Sequence, residues 1–268
     1  AGSAQDFLTT LRLPNPTSTL RATAVQVAVG TVMAAAGASP DPALAAELAR
    51  EAAAAPAPIA VTTGETADRS ASSKTFYGAS MAVLFVFFAA QFGVLGLLAE
   101  RRNGTLARML AAPIAPATIL LGKVLVSLVV ASISMTVIVL ATTLLMGADW
   151  GDPLAVAALV LAVALAATGI ATLIVGFAKN EEQAGSFIAV VAMTLAVFGG
   201  SFFRMSQAPE GLAVLSVLTP HAWFLRGIDD LAGGGGIAVV APSLLVLTAV
   251  GLVTGGIGLL RARQVVTP

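Results

Sequence analysis

Five long runs of apolar residues follow one another in the second part of this sequence, and they restrict its possible folds more than any other feature. A helix needs about 20 apolar residues to cross the roughly 30 Å of hydrocarbon in a bilayer, and each run is long enough. The sequence therefore predicts an all-α membrane protein with five membrane-spanning helices. Their expected positions are residues 76–99, 118–146, 154–178, 184–203 and 237–260.

The composition agrees with a hydrocarbon surrounding. Hydrophobic residues make up 57% of the chain and charged residues only 10%, whereas soluble domains carry about 25% charged residues. Basic and acidic residues are balanced at 14 each, so no net field attracts nucleic acid. The chain has no cysteine, which excludes disulfides, thiolate metal sites and cysteine nucleophiles.

Residues 1–74 differ from the rest of the chain because they contain six prolines and carry charges at intervals. Two short helices are predicted at 17–36 and 41–55, and proline interrupts the segment too often for it to span a membrane. We therefore expect a small extracytoplasmic segment or part-domain at 1–74, followed by a transmembrane domain at 75–268.

Basic residues in the short connections predict the orientation of the spans, because such residues collect on the cytoplasmic side. The connections that follow runs one, three and five hold seven of them, and the other connections hold two. This predicts a multi-pass protein of the cell membrane with a cytoplasmic C-terminus and an extracytoplasmic N-terminal segment. An odd number of spans then predicts a sixth span upstream of this chain. The seven residues are Arg101, Arg102, Arg108, Lys123, Lys179, Arg261 and Arg263, and the two are Arg204 and Arg226.

The connection at 100–113 has an amphipathic pattern. Leu106, Met109 and Leu110 recur at helical spacing beside Arg102 and Arg108, which predicts a short helix on the membrane face that Pro113 ends. On one interpretation, the arginines only anchor the topology by reaching the lipid head groups.

Two blocks of residues carry a resemblance to a known family. The first is Glu100, the triplet Gly104-Thr105-Leu106, Pro113 and the pair Gly122-Lys123. The second is the run Leu218-Thr219-Pro220-His221-Ala222-Trp223, followed by Gly227 and Leu231. Over about residues 76–262 the chain resembles ABC-2 type transporter permeases, the membrane subunits of type-2 ABC exporters.

The resemblance implies that the first block forms a cytoplasmic coupling helix that docks on a separate ABC ATPase subunit. It further implies pairing with a second permease copy, as a homodimer or a related heterodimer in the lipid membrane. The implied coupling residues are Glu100, Arg101, Arg102, Gly104, Thr105, Leu106, Arg108 and Pro113. The second block implies an external hairpin containing Pro220, His221 and Trp223.

This chain is not expected to be an enzyme, and ATP and magnesium are expected on the partner subunit rather than here. A phosphate-binding loop needs the pattern G-x-x-x-x-G-K-[ST], but Ala117 and Val124 occupy two of its required positions around Gly122-Lys123. His221 is the single histidine, which excludes a multi-histidine metal site. We expect no cofactor or metal in this chain, and we expect His221 beside Trp223 at the membrane interface.

The predicted function is export of a hydrophobic or amphipathic substrate, such as a drug, a lipid or a lipid-linked glycan. One alternative is a stand-alone secondary transporter, which needs ionisable residues inside its spans; the five runs hold almost none away from their ends. The other alternative is an intramembrane enzyme, which a single histidine serves poorly. Glycines are predicted to allow close helix packing at positions 169, 176, 185, 251, 255 and 256.

Overall fold

The computed structural model describes residues 71–204 and 210–266, and these residues form helices and connections without a strand. Residues 1–70 lie outside the described part, and with them lie the two short helices predicted at 17–36 and 41–55. The predicted boundary between an extracytoplasmic segment and a transmembrane domain therefore stays a prediction.

Eight helices occur in the described part of the chain. They are α1 (Ser73–Arg102), α2 (Thr105–Leu110), α3 (Pro116–Met146), α4 (Pro153–Phe177), α5 (Glu181–Phe198), α6 (Glu210–Ser216), α7 (Pro220–Ala232) and α8 (Ala241–Val266). Five of them, namely α1, α3, α4, α5 and α8, are long and apolar enough to cross a membrane. This confirms the predicted all-α membrane fold with five spans.

The fourth and fifth spans differ in position from their predicted ranges, 184–203 and 237–260. Helix α5 begins earlier because the Asn180 side chain accepts a hydrogen bond from the Gln183 N–H at 2.8 Å and caps an extra turn. It ends at Phe198, where Gly199 and Gly200 follow. Helix α8 begins at residue 241, since residues 237–240 form turns after a run of glycines.

Helices α1 and α4 lie at the centre of the bundle, with most of their apolar residues buried inside the protein. Helix α3 packs along α1, helix α8 packs along α4, and α5 packs against α1. The outer helices expose many large apolar side chains, including Leu144 and Leu145, which are 80% and 84% exposed. Soluble monomers rarely expose apolar patches of this extent, so this surface suits lipid.

Glycines bring α4 and α8 into backbone contact. A Cβ atom added to Gly169 would collide with the carbonyl oxygen of Gly251, and one added to Gly258 would lie 2.5 Å from the Leu173 nitrogen. A Cβ on Gly176 would lie 2.8 Å from the Gly258 carbonyl oxygen. Small residues allow such close approach of membrane helices.

The glycine prediction holds at positions 169, 176 and 251, and Gly255 lies beside Gly169 in the same contact. It is wrong for two positions within the described residues. A Cβ on Gly256 would meet no described atom within 4 Å, and one on Gly185 would reach only Leu95, at 4.0 Å. Gly256 is exposed on α8, whereas Gly185 faces α1 at ordinary van der Waals distance and so makes no close backbone approach.

Candidate functional site

Gly104 makes the turn between α1 and α2 possible. Its φ of 74° lies in the left-handed region, which residues with a Cβ rarely adopt. The chain reverses there, and the Gly104 N–H donates to the Arg101 carbonyl at 3.3 Å. Helix α2 confirms the predicted short helix but ends at Leu110, three residues before Pro113, because the chain turns through residues 111–114.

Helix α2 is amphipathic in its packing as well as in its sequence. Leu106 is 4% exposed and packs into a cluster with Leu97, Leu98 and Leu120 of the neighbouring spans. Thr105 and Arg108 are exposed, as is Arg101 at the end of α1. The helix is therefore fixed to the bundle by one face and presents Arg108 on the other. We call this end of the bundle the α2 end.

An ion pair holds the base of this connection. Lys123 Nζ of α3 lies 2.5 Å from Glu100 Oε1 of α1, and both side chains are about one-quarter exposed (24% and 26%). The Glu100 carbonyl also accepts the Thr105 hydroxyl at 3.2 Å. Gly96 leaves room for the lysine, since a Cβ there would lie 3.3 Å from Lys123 Nζ. Glu100 and Lys123 thus connect the helices before and after α2.

A second set of ion pairs joins the end of α1 to the start of α5. Arg102 Nη2 lies 3.3 Å from Glu181 Oε2, and Arg102 Nη1 lies 3.8 Å from Glu182 Oε1, in the first turn of α5. Arg102 is 61% exposed, and exposed pairs contribute about 1 kcal/mol or less. The pair therefore adds little stability, but it shows that both connections form one surface. Sequence reasoning placed them on one face without pairing these residues.

The predicted external hairpin lies at the opposite end of the bundle, which we call the α7 end. Helix α7 begins at Pro220, after a Thr219 hydroxyl that accepts the Ala222 N–H at 3.3 Å. Trp223 Nε1 donates to the Val217 carbonyl at 2.7 Å, and the Arg226 guanidinium carbon lies 5.1 Å from the Trp223 ring centroid.

The sequence led us to expect His221 at the membrane interface, but the structure buries it inside the bundle. Its imidazole is fully buried and stacks on Phe87 of α1, with the ring centroids 4.6 Å apart. Burial lowers the pKa of His221 from its ordinary value of 6.5 to about 3. A lone histidine gives no sign in sequence of what surrounds it, and here it is a neutral packing residue.

We predict that acid destabilises the protein through His221. The unfolded chain takes up this proton near pH 6.5 and the folded chain only near pH 3. The free energy of unfolding should therefore fall by about 1.4 kcal/mol for each pH unit below about 6.5. Thermal unfolding in detergent at pH 7, 6 and 5 measures this slope. His221→Leu should flatten it, and an unchanged slope in that variant would contradict the assignment.

A polar cluster that sequence reasoning missed lies at the α7 end. Arg204 Nη2 donates to the Ala71 carbonyl at 2.6 Å, and its guanidinium carbon lies 4.4 Å from the Phe76 ring centroid. Asp229 Oδ1 accepts the Ala71 N–H at 2.8 Å and lies 3.8 Å from Arg204 Nη1. Burial raises the pKa of Asp229, and the Ala71 N–H and Arg204 oppose that shift. The cluster ties the start of α1 to α7.

Within residues 71–204 and 210–266, no group of three or more histidine or carboxylate side chains is placed to hold a metal ion. What the α2 end offers is a small helix packed against α1, with Arg108 on its exposed face and Arg101 exposed nearby.

Comparison with known proteins identifies the family. The family model described as ABC-2 family transporter protein matches residues 6–260. The chain belongs to this family. The match extends over nearly all of the ABC-2 chain, including both blocks of residues that carried the resemblance.

Two curated relatives of this ABC-2 family protein are transport permeases by name. It is 26% identical over 194 residues to the linearmycin resistance permease protein LnrN of Bacillus subtilis (strain 168), covering 72% of this chain and 50% of that protein. It is 27% identical over 175 residues to the inner membrane transport permease YhhJ of Escherichia coli (strain K12), covering 63% and 46%. The chain thus spans about half the length of the curated relatives it matches.

Proposed function

We infer that this chain is a membrane transport permease subunit, as its family and its relatives support. We propose that it is the permease of an ABC exporter, driven by ATP hydrolysis on a separate ATPase subunit. The observation that carries the proposal is helix α2, which is exposed on one face and buries Leu106 on the other, while the Glu100–Lys123 pair joins the flanking helices α1 and α3.

The rigid attachment of α2 suits the transfer of motion from a partner. A displaced helix can move its neighbours only if they are mechanically connected. Here α2 is linked to α1 through the Gly104 turn, and α1 is in turn paired with α3 through Glu100–Lys123 and with α5 through Arg102–Glu181. An ATPase that shifts α2 would therefore shift three spans together.

The exposed basic residues favour an acidic docking surface on the ATPase. Arg101 and Arg108 are exposed at the α2 end, where charge-assisted hydrogen bonds to carboxylates would be available. We propose that Pro113, in the turn after α2, sets the entry into α3. This docking requires the α2 end to face the cytoplasm, as the distribution of basic residues predicts.

We further propose that two permease copies form the transport pathway and that the substrate is hydrophobic or amphipathic. The exposed apolar surface of the bundle suits entry of such a substrate from lipid. One relative carries the name of a linearmycin resistance permease, and outward transport of an inhibitory compound would account for resistance.

A substitution at Gly104 tests the coupling proposal. Gly104→Pro should abolish co-purification of the ATPase, because proline fixes φ near −65° whereas this turn requires 74°. Gly104→Asn is the matched control, since asparagine tolerates the left-handed conformation better than other residues with a side chain. It should retain most of the binding.

Co-purification from membranes and ATP-dependent uptake into inverted vesicles measure these outcomes. Normal ATPase binding and ATP-driven uptake by the Gly104→Pro protein would contradict the coupling role of α2. Uptake that needs no ATP in the unmodified protein would instead support a secondary transporter.

A further inference from the structure

A cavity of about 550 Å³ lies between α3 and α4, at the α7 end of the bundle. Its volume falls within the range of about 300–1,000 Å³ that small-molecule sites occupy. Leu140 and Leu161 line it and are 54% and 57% exposed, so it opens sideways from the helix pair. In a bilayer this opening faces the hydrocarbon.

The body of the cavity is apolar. Valine, leucine and alanine side chains form most of its wall, among them Val139 and Val156. Such a wall favours an alkyl chain or another apolar group through burial of its surface. An apolar wall does not orient a ligand. The few polar groups that line the cavity must therefore set the ligand's orientation.

Every hydroxyl group that lines the cavity already donates its hydrogen within α3. Ser132 donates to the Leu128 carbonyl at 2.8 Å, Thr136 to the Ser132 carbonyl at 2.8 Å, and Thr143 to the Val139 carbonyl at 2.9 Å. Their oxygens remain able to accept hydrogen bonds. These side chains therefore offer acceptors to a ligand and no donor.

The loop end of the cavity is also acceptor-rich. Trp150 lines it, but its indole N–H already donates to the Thr142 hydroxyl at 3.2 Å. Asp149 lines the cavity and is exposed, and its Oδ1 accepts the Gly151 N–H at 3.0 Å. Among the described lining residues, Asp149 is the only ionisable one, and none is a lysine or an arginine.

We propose that this cavity binds a single amphiphile with a cationic head group. Its apolar body lies between α3 and α4, and its positive head lies beside Asp149, where only acceptor side chains surround it. An anionic head would meet the carboxylate without any cation to balance it. All lining residues belong to one chain, and we expect binding without the ATPase.

Tryptophan fluorescence provides a direct test. The chain has two tryptophans, so Trp223→Phe leaves Trp150 as the only reporter, in the wall of the cavity. The full chain is placed in nanodiscs of neutral phosphatidylcholine without ATPase or ATP. Two probes with the same bromine-tipped twelve-carbon chain are added: an alkyl-trimethylammonium and an alkyl sulfate. Bromine quenches tryptophan on contact.

The ammonium probe should quench Trp150 saturably, at about one-tenth or less of the concentration that the sulfate requires. Asp149→Asn should remove most of that preference. Asp152→Asn is the matched control, because it changes the same charge in the same loop and asparagine still caps α4. It should keep the preference.

A second pair of variants tests the cavity itself. Ala157→Phe places a ring into the lined space and should weaken quenching by both probes, whereas Leu154→Phe, on the same helix outside the lining, should not. Three results would overturn the proposal: equal quenching by both head groups, equal effects of the two aspartate variants, or quenching that never saturates. The last would mean that ordinary lipid or another part of the assembly fills the space.

Discussion

Replacing Gly169 with valine is expected to prevent assembly of the helix bundle. The added atoms would collide with the Gly251 carbonyl oxygen and the Thr254 hydroxyl, which lies 2.6 Å from an ideal Cβ position. The backbone of α8 cannot rotate away as a side chain does, so α4 and α8 would have to separate along their length. Overpacking typically costs about 1–3 kcal/mol, and we expect at least the upper value here.

The matched control is Gly256→Val, on α8 one residue after Gly255 but exposed, with no described atom within 4 Å of a Cβ. Thermal unfolding and size-exclusion chromatography in detergent compare the two proteins. The Gly169 variant should lose its monodisperse peak or unfold at a much lower temperature, while the control keeps both properties. Equal behaviour of the two variants would contradict the close α4–α8 contact.

Reversing either charge of the Glu100–Lys123 pair is expected to reduce coupled transport by at least tenfold, which corresponds to about 1.4 kcal/mol. Each single reversal, Glu100→Lys or Lys123→Glu, places two like charges at a contact that is 2.5 Å in length. Their repulsion pushes α1 and α3 apart at the base of α2. The double reversal restores opposite charges and should recover a substantial part of the activity.

Recovery of activity in the double variant would show that Glu100 and Lys123 act as a pair. If each residue instead contacted the ATPase independently, the double variant would not recover. ATP hydrolysis stimulated by the permease, measured on the co-purified complex, gives the readout. Lys179→Glu serves as the control, because it is an exposed charge reversal in the second connection at the same end. It should change activity little. If the double variant is as inactive as the single variants, the Glu100–Lys123 ion pair is not what supports coupled activity.

Hydropathy was sufficient to predict the five spans, because apolar length alone decides whether a helix can cross a membrane. The spacing of Leu106, Met109 and Leu110 likewise predicted α2, since helical periodicity is local. The end of α2 was misplaced because a proline marks where a helix cannot continue and says nothing about an earlier stop. Here the helix ends at Leu110.

The polar contacts could not be predicted in the same way. Glu100 and Lys123 are 23 residues apart, and Asp229 lies 158 residues from Ala71. Their pairing follows from how the helices pack rather than from any local pattern. For the same reason, the burial of His221 against Phe87 was not foreseen. The docking role of the α2 residues remains a prediction, as does the extracytoplasmic position of residues 1–74.

The glycine contacts between α4 and α8 limit how this protein can change shape. Helices whose backbones touch at several successive turns cannot slide or twist past each other without unlocking every contact at once. We therefore expect α4 and α8 to move together as one rigid body when the protein changes conformation. Helix α5 makes no comparable backbone contact at Gly185, where an added Cβ would reach only Leu95, at 4.0 Å. We therefore expect the contacts of α5 along Gly185 to change more easily than the contact between α4 and α8.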